Sequence, residues 1–206
     1  MELTLSRRSR QKKSDGGHET QNFRGGVQAD RACAVDALVL GKRILKMTDT
    51  ANNVPALDTE YVFTARVLVG APIEVGQGPD GLRRYIPILG GSVYGPLLSG
   101  TVIAQGGDSQ IVRNDGALLV EARYLIKSND GVLVSVVNRG LRTARSDVME
   151  KLARGEQMPA SDYYFRTTPW FEAPVGSQYE FLNKFVFVAT AEREPDAAVV
   201  HFYRVL

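Results

Sequence analysis

From residue 58 onward the chain is a succession of short apolar runs, each closed by a turn rich in glycine, asparagine or aspartate. The first run, Tyr61–Val69, is rich in β-branched and aromatic residues, which favour strands. Asn-Asp-Gly turns close two later runs at 114–116 and 129–131, and these residues favour hairpins because they tolerate positive φ. Many short strands joined by tight turns are typical of an antiparallel sandwich or barrel.

We predict an all-β fold, namely a single antiparallel up-and-down β-barrel over residues 58–206. A largely disordered N-terminal extension over residues 1–57 is predicted to precede it. A barrel is favoured over a sandwich because consecutive hairpins close it without exposed strand edges. Only Ser146–Arg154 has a helical pattern, with Ser146 as its N-cap and Gly155 as its terminator, which predicts one short helix.

The positive charge of the chain is concentrated before the first strand. Residues 1–46 hold ten basic and five acidic residues, so the overall net charge of +2 leaves −3 for the remaining residues. Because a nucleic-acid footprint is expected on the folded domain, we expect no nucleic-acid partner. Residues 6–26 are polar, as in disordered segments. Met47 directly precedes the globular pattern and could serve as the translation start, so we interpret residues 1–46 as an upstream extension.

The sequence gives no support to the membrane, export and metal-binding classes. Ser6-Arg7-Arg8 is similar to the start of a twin-arginine export signal, but the apolar region and cleavage site that should follow are absent. No apolar run approaches the roughly 20 residues of a membrane-spanning helix. The single cysteine, Cys33, cannot form an internal disulfide, and no zinc or phosphate-loop spacing occurs. We therefore expect a cytoplasmic protein with no membrane partner, no metal and no cofactor.

The hairpin around the turn at 129–131 carries a polar cluster. If the turn has two residues, Glu121 and Arg123 share a face with Asn138 and with apolar neighbours. Buried charge is costly unless it is paired and hydrogen-bonded. The cluster is therefore a structural network between strands, a set of groups that orients a ligand in a barrel cavity, or a solvent-facing patch. The opposite face of the hairpin is also apolar, which indicates a subunit interface or a helix packed outside the barrel, and we predict a homo-oligomer.

Several sequence blocks carry a family resemblance, and they are Gly90–Val102, Gly106–Gln110, Glu121–Tyr124, Asn138–Arg142, Tyr163–Glu172 and Phe181–Asn183. Together they resemble domain-of-unknown-function family 3237, a family of small bacterial and fungal proteins. The resemblance implies a single β-barrel domain that is usually oligomeric, and it implies no particular activity. Three positions depart from the family pattern, which usually has tryptophan at Ser109, often tryptophan at Phe181, and aspartate at Glu121.

The segment Tyr163–Glu172 has the highest density of candidate functional side chains. Pro169 interrupts it, so we do not expect a simple central strand. Arg166 could bind a carboxylate or a phenolate through two hydrogen bonds, and Tyr164 could donate one to a developing enolate or phenolate. The alternative is a structural role, with the aromatic rings in the core and Arg166 in a salt bridge to Glu172.

Other polar residues have less specific interpretations. The arginine-rich stretch Asn138–Arg145 follows a predicted strand and is interpreted as a solvated loop, with anion binding as the alternative. His201 alternates with apolar residues on the last strand and is interpreted as a packed or surface residue. Asp108, Glu121 or Glu172 could act as a general base if a pocket raises its pKa.

We therefore predict a cofactor-free enzyme that carries out acid–base chemistry of the isomerase, cyclase or lyase type. Its ligand is expected to be a largely apolar or aromatic small molecule held in the barrel. The alternatives are a non-catalytic ligand-binding barrel and a structural oligomer with a buried polar network. The predicted proton-transfer residues are Asp108, Glu121 and Glu172. The predicted ligand-binding residues are Arg123, Asn138, Tyr164, Arg166 and Trp170.

Overall fold

The computed structural model describes residues 55–206. The predicted extension over residues 1–46, its disorder, the start at Met47 and the single cysteine all lie outside the described residues. In the described part of the chain, no helix combines the length and the apolarity needed to cross a membrane. A single chain does not test the predicted homo-oligomer or the cytoplasmic location, and both stay predictions.

Ten strands and one α-helix make up the regular structure of the described residues. Helix α1 (Ser146–Ala153) lies between the seventh and eighth strands, and single 3₁₀ turns at Ala160–Asp162 and Glu180–Asn183 flank the eighth strand. The strands are β1 (Thr59–Val69), β2 (Ile73–Gly78), β3 (Gly81–Tyr94), β4 (Gly100–Val102), β5 (Gly106–Val112), β6 (Leu118–Ser128), β7 (Leu133–Ala144), β8 (Tyr163–Glu172), β9 (Phe187–Arg193) and β10 (Ala197–Val205).

The sheet closes on itself because β1 pairs with β10 on one side and with β3 on the other. From β5 to β10, neighbours in the sequence are antiparallel neighbours in the sheet. β1 and β2 pair with different parts of β3 and together count as one strand position. β4 and β5 both pair with β3 and with β6, and they also count as one position. Eight strand positions therefore surround a closed barrel, which confirms the predicted all-β, antiparallel up-and-down architecture with one short helix.

β3 is longer than predicted because glycine lets two strands approach closely. The apolar run Arg84–Leu89 and the two glycines after it predict a strand that stops at Gly90 and Gly91, yet the strand continues to Tyr94. A β-carbon at Gly91 would lie 2.1 Å from the backbone oxygen of Arg66 in β1. Glycine is therefore required at the seam where β1 and β3 close the barrel, since a side chain there would separate the two strands.

β7 and β8 correct two further predictions. β7 continues to Ala144, so most of the predicted solvated loop at 138–145 is strand. β8 pairs with both β7 and β9, so it is a central strand in spite of Pro169. Its pairing with β9 is confined to Arg166 and Thr167, and Pro169 therefore lies where β9 no longer pairs with it.

Helix α1 occupies the predicted position with a different start. Arg145 is its N-cap and makes no side-chain capping bond, so the prediction of Ser146 as N-cap is wrong by one residue. Gly155 follows the helix with φ +81°, which agrees with its predicted role as terminator. The buried side chains of Val148 and Leu152 hold the helix against the barrel.

Aromatic side chains fill one end of the barrel interior. The rings of Phe63, Phe171, Phe187 and Phe202 lie with centroids 4.6–5.7 Å apart, and each residue is at most 2% exposed. Tilted and edge-to-face pairs of this kind contribute about 0.5–1.5 kcal/mol each beyond burial. This end of the barrel is therefore a packed core, and space for a ligand inside the barrel lies toward the other end.

Truncation of one ring in this cluster should destabilise the whole barrel. We expect Phe171→Ala to lower the free energy of unfolding by about 3–5 kcal/mol, because it removes a fully buried ring and leaves a cavity. Phe185→Ala is the matched control, since Phe185 is 42% exposed, and its cost should stay below about 1 kcal/mol. Urea unfolding followed by circular dichroism measures both, and equal costs would contradict the assignment of the core.

Candidate functional site

The turn of the β6–β7 hairpin reverses the predicted direction of its side chains. Ser128 donates its backbone N–H to the carbonyl of Val132, so three residues form the loop where two were predicted. Gly131, the last of the three, adopts φ +88°, as is common in such loops. With three residues in the loop instead of two, the pairing of β6 with β7 shifts by one residue. Residues of β6 that were expected on the same face as Asn138 therefore lie on the opposite face.

Glu121 and Arg123 therefore lie on the outer face of the barrel, and the prediction that they share a face with Asn138 is wrong. The Glu121 carboxylate accepts hydrogen bonds of 2.7–2.9 Å from Arg123 and Arg139, whose side chains are 60% and 62% exposed. The bonds from Arg123 and then Arg139 lower the pKa of Glu121. A general base at neutral pH needs a raised pKa, so this cluster is a surface network of ion pairs.

Four further predicted residues lie on the outer face of β8. Burial alternates along this strand, and Tyr164, Arg166, Trp170 and Glu172 all belong to its exposed set. Arg166 donates a hydrogen bond to the carbonyl of Phe165 at 2.8 Å, and its guanidinium lies 5.2 Å from the centre of the Tyr164 ring. The structure does not bring these four side chains into the barrel.

Asp108 lies on the inner face of β5, together with Gln110. Its Oδ1 accepts a hydrogen bond of 2.9 Å from the backbone N–H of Glu121, and its Oδ2 accepts one of 2.5 Å from Gln110. Gln110 in turn accepts a hydrogen bond of 2.8 Å from Nε of Arg84. Burial raises the pKa of Asp108, and these hydrogen bonds only partly oppose that effect. Asp108 therefore keeps its proton to a higher pH than an exposed aspartate.

Arg142, on the inner face of β7, is the most buried charged side chain of the described residues at 5% exposure. Its Nε is buried and has no hydrogen-bond partner, and its guanidinium lies 5.7 Å from the centre of the Phe165 ring. Burial, followed by repulsion from Arg84 and Arg193, lowers the pKa of Arg142 to about 10. The side chain therefore still carries its charge at neutral pH.

Arg193, on β9, completes a group of three arginines. Its guanidinium donates hydrogen bonds to the carbonyls of Ala197 and Glu194. Burial, and then repulsion from Arg84, lowers the pKa of Arg193, and burial also lowers the pKa of Arg84. None of the three arginines forms a salt bridge with a described residue. The group therefore carries more positive charge than its surroundings neutralise.

A cavity of about 380 Å³ opens among these side chains at the end of the barrel opposite the aromatic cluster. The end of helix α1 and apolar side chains of the barrel interior line the rest of it. Mostly apolar walls with a few convergent polar groups, at this volume, are typical of small-molecule sites. The polar lining residues are Arg84, Asp108, Gln110, Arg142, Arg154, Arg193 and Asp196. Of these, Arg154 is ion-paired with Glu156, and Asp196 is ion-paired with Arg66.

Two of the eight predicted site residues, Asp108 and Asn138, lie inside the barrel, whereas the three arginines were missed. Gln110 could have been found, because it follows Asp108 at the period of two that places side chains on one face of a strand. Arg142 lies in the stretch Asn138–Arg145, for which anion binding was only the alternative to a solvated loop, and its place on the inner face was missed because that stretch was not assigned to a strand.

His201 agrees with its interpretation as a packed or surface residue. It is half-buried, and its Nδ1 lies 2.8 Å from the hydroxyl of Thr64 in β1. Within residues 55–206, no group of three histidine, cysteine, aspartate or glutamate side chains is placed to hold a metal ion. That finding does not test the predicted absence of a metal and a cofactor, which stays a prediction.

The raised pKa of Asp108 predicts a pH-dependent loss of stability. As pH rises above about 4, Asp108 ionises in the unfolded chain while the folded barrel still holds the proton, so folding becomes less favourable. Asp108→Asn cannot ionise, so the wild type should lose stability relative to this variant by at most about 1.4 kcal/mol per pH unit. Urea unfolding of both proteins at several pH values between 4 and 7 measures the difference in their free energies of unfolding. A difference that stays constant over this pH range would contradict the raised pKa of Asp108.

Relatives of this chain share its whole barrel. A UPF0311 protein of Rhodopseudomonas palustris is 40% identical over 152 residues, which cover 74% of this chain and 99% of the relative. Its crystal structure, described as a conserved protein of unknown function, matches with a TM-score of 0.72 and 39% identity, covering 74% of this chain and all of that one. A barrel-like protein of Acinetobacter baumannii matches with a TM-score of 0.65 and 32% identity, covering 75% of this chain and 99% of that one.

A fungal enzyme is a more distant relative. A hydroalkoxylation enzyme of Penicillium herquei is 32% identical over 78 residues, which cover 37% of this chain and 51% of the enzyme. The structure of an enzyme from the same fungus matches with a TM-score of 0.55 at 19% identity, covering 74% of this chain and 98% of that one, which shows a shared fold. The family model described as protein of unknown function (DUF3237) matches residues 57–205, and the chain therefore belongs to that family.

Proposed function

We propose that the barrel is an acid–base enzyme that binds a small molecule with an anionic oxygen and transfers a proton through Asp108. The observation that carries this proposal is the burial of Arg142 beside the half-buried Arg84 and Arg193, none of which forms a salt bridge with a described residue. Buried charges are costly unless they are paired and hydrogen-bonded. A carboxylate, phenolate or enolate oxygen of a ligand would supply the missing pair, and a guanidinium can hold such a group through two hydrogen bonds.

The excess positive charge favours one kind of reaction intermediate. Arginines that face a buried oxygen stabilise the negative charge that develops there during a reaction. The same charges would destabilise a carbocation at that place. An enolate or a phenolate is therefore the intermediate that suits this cavity, and such intermediates occur in isomerases, cyclases and lyases.

In such a reaction Asp108 would transfer the proton. When a hydroxyl group adds to an alkene conjugated to a carbonyl group, a C–O bond forms and the electron pair of the alkene moves onto the carbonyl oxygen as an enolate. The arginines bind the enolate oxygen, and Asp108 donates its proton to the enolate carbon. The proton released from the hydroxyl group restores Asp108. The product is an isomer of the substrate, so the reaction consumes no cofactor.

The fungal relative supports this class of reaction. The Penicillium herquei protein is named a hydroalkoxylation enzyme, and hydroalkoxylation is the addition of a hydroxyl group to an alkene. On the strength of this partial match we infer related chemistry in the cavity of this chain. The proposed site keeps Asp108 from the sequence prediction and replaces the outward-facing candidates with the three arginines.

Removal of a buried arginine should weaken the binding of an aromatic anion. Trans-cinnamate is a suitable probe, because it combines an apolar ring with a carboxylate. We expect Arg142→Met to weaken cinnamate binding at least tenfold in isothermal titration calorimetry, since it removes the least compensated charge. Arg83→Met is the matched control, because Arg83 lies on the exposed face of β3 beside Arg84, and its affinity should equal that of the wild type. Equal affinities for both variants would contradict an anion site in the cavity.

Catalysis should depend on the proton of Asp108. 2′-Hydroxychalcone is a suitable substrate probe, because addition of its phenol to the conjugated alkene gives an isomeric cyclic ketone and removes the absorbance of the enone. We expect wild-type protein to accelerate this conversion and Asp108→Asn to lose about 10²–10⁴-fold of the acceleration, as for other general acids. Cinnamate binding should persist in this variant. Wild-type protein that binds cinnamate without converting the chalcone would favour the non-catalytic binding barrel.

A further inference from the structure

A second cavity, of about 280 Å³, adjoins the cavity described above and lies between helix α1 and the turn that joins β5 to β6. Four residues, Arg84, Leu118, Arg142 and Ala153, line both cavities and therefore form the boundary between them. Small-molecule sites usually measure about 300–1,000 Å³, so each cavity by itself is near the lower end of that range. A ligand that crosses the boundary has the space of both.

One face of helix α1 forms a wall of the second cavity. Ser146, Met149 and Ala153 follow one another at intervals of three and four residues, which is the spacing of side chains on one face of a helix. Val112 at the end of β5 and Ala144 at the end of β7 line the side of the barrel. The space next to the boundary arginines is therefore mainly apolar and suits a ring.

The charged groups of the second cavity change sign from its rim to its base. Asp115 and Glu150 are exposed, whereas Arg142 is 5% exposed. Asp115 is ion-paired with Arg113 at 2.6 Å, so Glu150 contributes most of the negative charge at the rim. Because like charges repel, the rim disfavours a second anionic group on a ligand. The part of a ligand that occupies this cavity is therefore neutral.

Arg142 is the group that connects the two cavities. Its Nε is buried and has no hydrogen-bond partner, and a guanidinium carries five N–H donors in one plane. Arg84 lies at the same boundary, where its Nε is bonded to Gln110 at 2.8 Å, and it adds a second positive charge. An oxygen anion bound to these arginines therefore has an apolar space on either side.

We propose that the two cavities hold the two halves of one ligand, whose acidic oxygen binds Arg142 and Arg84 at the boundary. This inference rests on the proposed function, because the arginines have to bind the anionic oxygen of the same molecule. The carbonyl of 2′-hydroxychalcone, which becomes the enolate, lies between two ring-bearing arms and fits this arrangement. The substrate class is then a compound with an acidic oxygen between two ring systems, and Met149 and Ala144 limit the size of the second ring system.

The test compares trans-cinnamate with (E)-α-phenylcinnamate, which has the same carboxylate and ring and adds a second ring beside the carboxylate. We expect the wild type to bind α-phenylcinnamate roughly tenfold more tightly in isothermal titration calorimetry, since the added ring leaves water for the second cavity. Met149→Trp fills this cavity from the helix and Ala144→Leu fills it from β7, so each should reduce the preference. Both variants should still bind cinnamate, because neither residue lines the first cavity.

Asp147→Trp is the matched control for the added ring. It places the same side chain on helix α1, at a position that is 57% exposed and lines neither cavity. The preference for α-phenylcinnamate should therefore persist in this variant. If Met149→Trp also loses cinnamate binding, the smaller change Ala144→Leu decides between the outcomes.

The possible outcomes separate this inference from the function on which it rests. Equal or weaker binding of α-phenylcinnamate by the wild type would overturn the two-cavity ligand and leave the arginine site intact. A preference that survives in both cavity variants, or that Asp147→Trp also removes, would overturn it as well. Binding of neither acid by the wild type would overturn the proposed anion site and this inference together. A preference that the cavity variants reduce and Asp147→Trp keeps would uphold it.

Discussion

β1 pairs with β10 along one edge and with β3 along the other, and the rest of the structure depends on this closure. In a closed sheet every strand has a neighbour on both sides, so successive side chains point alternately into the barrel and out of it. Gly91 permits the seam, because the backbone oxygen of Arg66 occupies the place that a β-carbon would take. Once the seam forms, the two faces of each strand lie in different environments.

The interior is divided into an end that stabilises the fold and an end that suits a ligand. Phe63, Phe171 and their neighbours pack against one another at one end, and this packing stabilises the barrel. At the other end, Arg142 is buried and Arg84 and Arg193 are half-buried with no salt bridge to a described residue, which opposes folding. Natural proteins tolerate such costs mainly at functional sites, and the aromatic end provides stability that offsets them.

The fold was largely predictable because the turns are strong local signals. The turn at 129–131 joined two strands as expected, since asparagine, aspartate and glycine accept positive φ. Its length was not predictable from residue types, because Asn-Asp-Gly suits loops of two or three residues. That difference of one residue placed Glu121 and Arg123 outside the barrel. The site was less predictable, since β7 had to be followed beyond Asn138 before Arg142 could be placed on its inner face.

The sequence by itself determined the order of the strands, the hairpins between them and the position of the single helix, because these depend on neighbouring residues. The tertiary structure decided which face of each strand became the interior. Both faces of β6 are partly apolar, with Leu119 outside and Leu118 inside, so local alternation cannot separate them. The tertiary structure also decided the chemistry of the cavity, because Arg84, Asp108, Arg142 and Arg193 come from four strands and change their pKa only when closure brings them together.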